Sequence, residues 1–299
     1  MRMEKYNHGG QPAPNSSGTA APKLAAPANA CDCHMRIYDG DRFPPSRPRS
    51  RMQASARVAD YRLLQQRIGT RRTVVVSPAA YGTDNRVTLD AIAQLGNARG
   101  VAVVHPTITD PELKAFAAGG IRGIRFTQFD PNTATTKFDM IEPLAKRVHE
   151  LGWHVQIHMR SDQIVDAESL WARLPCPIVF DHLGRMSQPA GVDDPAFTVI
   201  HRLVEKGRTW VKISGAYLDT KVGPPTYADA TKVARAFVKA APERMVWGSD
   251  WPHPSAGVTR KPDDAVLLDL LLEWAPDDKA RHRILVENPQ ALYGFAKSG

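Results

Sequence analysis

Cysteine is scarce: Cys31, Cys33 and Cys176 are the only three in 299 residues. So small and odd a number argues against a disulfide framework and fits thiols kept reduced in a cytosol. No apolar run approaches the roughly 18 uncharged residues of a membrane span. The opening MRMEKYNHGGQP lacks the apolar core of a secretory leader. A cytoplasmic protein with no membrane partner is therefore expected. Glycine-rich phosphate cradles are missing too: neither GxGxxG nor a Walker motif follows the first strand candidate, CDCHMRIYDGDRFP. This argues against a nucleotide cofactor, and no cofactor is expected. Aromatic residues make up only 7% of the chain, and the basic run Arg42, Arg47, Arg49 and Arg51 contains a single one, Phe43, with no regular interleaving. The stacking platform of a single-strand nucleic-acid binder is thus absent. The net charge of +8 reads instead as a solvated basic surface or a pocket for an acidic small molecule, with no nucleic-acid partner.

What is present is ordinary globular material, 42% hydrophobic. Residues 1–29, rich in Gly, Ala, Pro, Asn and Ser, have no hydrophobic period and read as a flexible, disordered tail. From Ala30 onward, short β-branched runs alternate with longer segments whose apolar residues recur three and four apart. The short runs are CHMRI (33–37), TVVV (73–76), VAVV (101–104), GIRF (123–126), HVQIH (154–158), IVFDH (178–182), WVKIS (210–214) and MVWGS (245–249). Eight strands buried on both faces, alternating with helices and without a second composition break, predict one (β/α)8 TIM barrel of the α/β class over residues 30–299. A doubly wound open sheet is the competing architecture.

Barrel enzymes carry their chemistry at the C-terminal ends of strands. Here those ends hold His34 and Arg36, Arg125, His158 with Arg160, Asp181 and His182 with Arg185, Lys212 with Ser214, and Asp250. Side chains two apart on a strand share a face, so His34 and Arg36 should point the same way. Each histidine alone could be structural, Arg160 and Arg185 could be surface ion-pair partners, and Lys212 could face the helices. The ensemble is mostly basic, with Asp250 its dominant carboxylate.

ACDCHMRIYD, the GIRF of the fourth strand, the DHLG after the sixth and the late WGSDWPH together resemble the amidohydrolase superfamily. Within it they resemble the branch of lactone-processing enzymes, the 2-pyrone-4,6-dicarboxylate lactonases, sulfomuconolactone hydrolases and D-galactarolactone isomerases. The resemblance implies a barrel with its site at the strand C-termini. In metal-dependent members an HxH, two further histidines and an aspartate hold divalent ions. The matching positions are His34, His158, His182 and Asp250, with Arg36 where the second His of HxH should stand. Arginine has donors and no lone pair to give a metal. It also places a fixed charge beside any cation, a repulsion of about 4 kcal/mol per pair of unit charges at about 4 Å in an effective dielectric near 20. No metal is therefore expected. The resemblance implies a metal-independent isomerase of an acidic sugar lactone, with a lactone hydrolase or a non-catalytic small-molecule-binding barrel as alternatives. Asp250 is the expected base, with His34, Arg36 and His182 as its catalytic partners. Arg125, His158, Arg160 and Arg185 are expected to bind the anionic lactone. The segment 40–55, with Arg47, Arg49 and Arg51, could close over it.

Overall fold

The computed structural model describes residues 11–46, 55–257 and 259–297. Eight parallel strands lie in sequential order: β1 (Cys31–Met35), β2 (Arg72–Val76), β3 (Ala98–Ala102), β4 (Ile121–Thr127), β5 (His154–His158), β6 (Ile178–Phe180), β7 (Thr209–Ser214) and β8 (Met245–Gly248). Helices run between them on the outside, among them α1 (Val58–Ile68), α2 (Arg86–Leu95), α3 (Asp110–Ala118), α4 (Ile141–His149), α5 (Ser161–Asp166), α6 (Glu168–Arg173), α7 (Pro195–Glu205) and α8 (Ala228–Ala240). This is the (β/α)8 barrel anticipated from the strand–helix rhythm. Helix starts follow local chemistry. Thr109 and Glu112 form a reciprocal capping box ahead of α3, and Asp194 accepts from Ala196 N ahead of Pro195 in α7.

β8 returns to β1 through Asp250 N donating to His34 O (2.8 Å) and Arg36 N donating to Trp251 O (2.9 Å). The buried Asp32 carboxylate ties the seam, accepting from Ser249 N (2.9 Å), Ser249 Oγ (2.6 Å) and Tyr61 OH (2.9 Å). Gly248 permits this approach, since a Cβ there would lie 2.7 Å from His34 Cβ. The register of β1 against β2 shifts between Asp32 and Met35. Such a bulge re-aims side chains. It turns both Cys33 and His34 toward the barrel axis, where strict alternation would have sent one of them out.

The larger apolar core fills the space between sheet and helices. A smaller one, with Cys31, Cys33, Val74, Val76, Val179, Trp210, Val246 and Tyr293, plugs the barrel interior. Each such fully buried aliphatic side chain contributes about 1.5–3 kcal/mol. All three cysteines are free and buried. Among the described residues no helix is long and apolar enough to cross a membrane.

Composition marked 1–29 as a free tail; for residues 11–29 this is corrected. Their backbone is irregular, but Ala13 and Leu24 are buried. Pro14 O accepts from Trp251 Nε1 (2.7 Å) and Arg67 Nε donates to Ala20 O (2.9 Å). A few apolar anchors and backbone hydrogen bonds hold a segment that has no periodic pattern of its own. Residues 1–10 and Arg47, Arg49 and Arg51 lie outside the described residues.

Candidate functional site

At the strand C-termini, a layer of buried charges sits on the apolar plug. Asp250 is its centre. Its carboxylate receives Arg36 Nη1 through Oδ1 and Tyr217 OH (2.6 Å) through Oδ2. His34 Nε2 and His182 Nε2 each lie 3.6 Å from Oδ1. Asp250 adopts φ of 64°, a left-handed conformation that aspartate tolerates better than most residues. Burial alone would raise its pKa, but Arg36, then His182 and His34, hold it well below the usual carboxylate range.

Asp181 is the second carboxylate. It accepts from Arg125 Nε (2.8 Å) and Gln156 Nε2 (3.1 Å). Against the cost of burial, Arg125 and His34 keep it ionised. Lys212 does not face the helices: it is fully buried on the barrel axis, donating to Cys33 O and Gln156 Oε1, both at 2.8 Å. The histidines are uncharged at neutral pH. Burial first, then neighbouring cations, pull His34 and His158 well below their ordinary value, and burial takes His182 down to about 4.

The structure therefore brings together His34, Arg36, Arg125, His182 and Asp250. His158 and Arg185 sit at the rim of this group. Arg185 Nη1 contacts His158 Nε2 (2.9 Å), pairs with both oxygens of Asp219 (2.7 and 2.8 Å) and covers Phe129, 4.1 Å from its ring centre. A cavity of about 670 Å³ opens above Tyr217, His158, Arg185 and Phe129. Arg160 is not brought into this group. Its half-exposed side chain pairs with Asp162 (2.9 Å) and donates to Phe129 O (2.8 Å). It lies just past β5, where an ion pair two residues away captures it. Tyr217 and Gln156 were missed; Asp181 and Lys212 were placed at strand ends but given no role in the site. Ser214-Gly-Ala-Tyr217, directly after a strand, was the available signal for Tyr217.

A family model described as amidohydrolase matches residues 31–295. The chain belongs to the amidohydrolase family. This amidohydrolase is similar to the 4-sulfomuconolactone hydrolase of Rhizobium radiobacter, 35% identical over 278 residues that cover 91% of this chain and 92% of that protein. It is also similar to the D-galactarolactone isomerase of Agrobacterium fabrum, 34% identical over 287 residues that cover 93% and 94% of the two chains. The apo crystal structure of an Agrobacterium tumefaciens protein superposes with a TM-score of 0.87 at 31% identity, over 95% of this chain and 99% of that one.

The metal positions of the family can be tested against this geometry. His34, Asp181 and His182 offer ligand atoms within 4.8 Å of one another, whereas His158 faces Arg185 instead. Those ligand atoms lie among cations. Asp250 carries Arg36, Asp181 carries Arg125, and Lys212 Nζ lies 3.3 Å from His34 Nδ1 and 3.9 Å from Asp181 Oδ1. A divalent ion here would meet three neighbouring cations, Arg36, Arg125 and Lys212, although His34 Nε2 and Asp181 Oδ1 have no hydrogen-bond partner. The residue set does not fit a metal.

Proposed function

We propose that this amidohydrolase is a metal-independent enzyme of an acidic sugar lactone, an isomerase of the D-galactarolactone type that interconverts 1,5- and 1,4-lactones. The observation that carries the reading is the Asp250 carboxylate, held between Arg36 and Tyr217 and flanked by two neutral imidazoles. In this scheme Asp250 takes the proton of a substrate hydroxyl. That oxygen attacks the lactone carbonyl carbon, and the carbonyl π pair moves onto oxygen. The tetrahedral intermediate collapses by breaking the original ring C–O bond, and the departing oxygen recovers the proton from Asp250. Held at low pKa, Asp250 is a modest base. Its contribution therefore comes largely from position, the attacking hydroxyl being held against the carbonyl.

The oxyanion needs donors fixed before reaction. His34 Nε2 and Arg125 Nη2 are both buried without a hydrogen-bond partner, and we assign them this role. Charge supports an anionic substrate. Among the described residues, Arg36, Arg125 and Lys212 in this layer pair with Asp181 and Asp250, an excess of one positive charge. Arginine suits bidentate carboxylate recognition, and Arg185 lines the cavity through which a ligand would enter. The identity to relatives named as a hydrolase and as an isomerase is nearly equal, which supports lactone chemistry for either outcome. If water replaces the substrate hydroxyl, the same groups give a lactonase.

The test is NMR of an aldaric-acid lactone mixed with the enzyme. The expected product is the other ring size; the open acid would make the protein a hydrolase. No change with any anionic lactone would leave a binding barrel and end the proposal.

A further inference from the structure

The oxyanion role of His34 requires its proton on Nε2, and the buried lysine of β7 decides where that proton sits. An ammonium has three donors and no acceptor. Around Lys212 Nζ there are three acceptors at hydrogen-bond distance: Cys33 O (2.8 Å), Gln156 Oε1 (2.8 Å) and His34 Nδ1 (3.3 Å). The Gln156 amide can present its oxygen to the lysine because its nitrogen is engaged by Asp181 Oδ2 (3.1 Å). Cys33 and His34, adjacent in sequence, both reach one ammonium, the first through its main-chain oxygen and the second through its ring. We propose that Lys212 is a positioning residue that fixes neutral His34 as the Nε2–H tautomer, by donating to Nδ1.

A nitrogen that accepts from an ammonium carries its lone pair there, so the single proton of a neutral imidazole resides on the other nitrogen. His34 is neutral by its surroundings: it is fully buried, with Lys212 and Arg36 nearby. The competitor for Nδ1 is Asp181 Oδ1, 3.3 Å away, which would accept an Nδ1–H. The two atoms pair electrostatically but do not meet in hydrogen-bond geometry, and that oxygen has no hydrogen-bond partner. Nε2 in turn points toward Asp250 Oδ1 at 3.6 Å, beyond hydrogen-bond reach, and has no partner. A buried N–H left unpaired is costly; here it is a donor kept open for a substrate oxygen. Without the lysine, Nδ1–H would turn to Asp181 and Nε2 would present a lone pair, the wrong polarity for a developing oxyanion. The inference rests on the lactone reading only for the use made of that donor; the tautomer itself does not depend on it.

The experiment is long-range ¹H–¹⁵N NMR of enzyme labelled with [¹⁵N]histidine and free of substrate. The His34 signals are identified by their loss in His34→Gln. In the wild type, Nδ1 is expected to resonate as the pyridine-type nitrogen and Nε2 as the protonated one. In Lys212→Met the two should exchange roles, and kcat should fall about 10²–10³-fold, the loss typical of one oxyanion donor, with KM changed less than about threefold. A purely structural lysine would not move the proton between ring nitrogens. A protonated Nδ1 in the wild type overturns the proposal even if Lys212→Met fails to fold. An unchanged tautomer in a folded Lys212→Met overturns it as well. Because the spectra contain no lactone, failure of the lactone reading would show separately, as absent turnover beside the expected tautomer.

Discussion

Replacing Asp250 by Asn tests the proposed base. The side chains are isosteric, and Asn is as tolerant as Asp of the left-handed backbone at φ 64°. The amide oxygen can still accept from Arg36 or Tyr217. What is lost is the negative charge opposite a guanidinium only 5% exposed. Removing one partner of a buried pair costs about 3–5 kcal/mol. The retained acceptor places this variant near the lower end, about 3 kcal/mol, for a Tm drop on the order of 5–10 °C in a domain of this size. General-base catalysis is typically worth 10²–10⁴-fold, so kcat should fall by that factor while the circular dichroism spectrum keeps its barrel signature. The pH dependence adds an independent check. The folded pKa of Asp250 is depressed. Its stabilisation is therefore fully present above the unfolded carboxylate value near pH 4, and is lost as pH falls from there through the folded pKa. Activity should also hold down to about pH 4, since the base stays ionised, and Asp250→Asn should unfold with less acid dependence than the wild type. A folded Asp250→Asn enzyme with kcat within about threefold of wild type would refute the mechanism and move the base to a histidine.

Tyr217→Phe removes one hydrogen bond to a charged group, worth about 1.5–3 kcal/mol, and should lower kcat by about 10–100-fold in a steady-state assay; an unchanged rate would mean the phenol only packs. Chelators should leave the rate unchanged, and elemental analysis of active enzyme should find far less than one divalent metal per chain. Zinc whose removal abolishes activity would contradict the charge argument made for Arg36, Arg125 and Lys212. The methyl ester of the acidic lactone should lose at least about tenfold in kcat/KM, since it forfeits a charge-assisted hydrogen bond; equal turnover of ester and acid would show that the surplus positive charge is not used. Arg160→Ala should leave KM within about twofold, because that side chain is engaged with Asp162 outside the site.

Much of the architecture was legible in one dimension because barrel strands are short, buried on both faces and punctuated by amphipathic helices, a period visible in residue type alone. The strand ends named His34, Arg36, Arg125, His182 and Asp250 correctly as neighbours, since parallel strands in a closed barrel deliver their C-termini to one mouth. Chain composition could not foresee that residues 11–29 dock, for a few anchors such as Leu24 and the Trp251 indole hold them without any repeating pattern. Nor could it separate Arg160 from Arg125: both are arginines at strand ends, and only the local partner, Asp162 for one and buried Asp181 for the other, decides which turns inward. The tertiary structure alone determined the direction of Lys212, the bulge that aims His34, and Tyr217 on Asp250. Each depends on contacts between strands distant in sequence, where a shift of one residue exchanges the inside of the barrel for the outside.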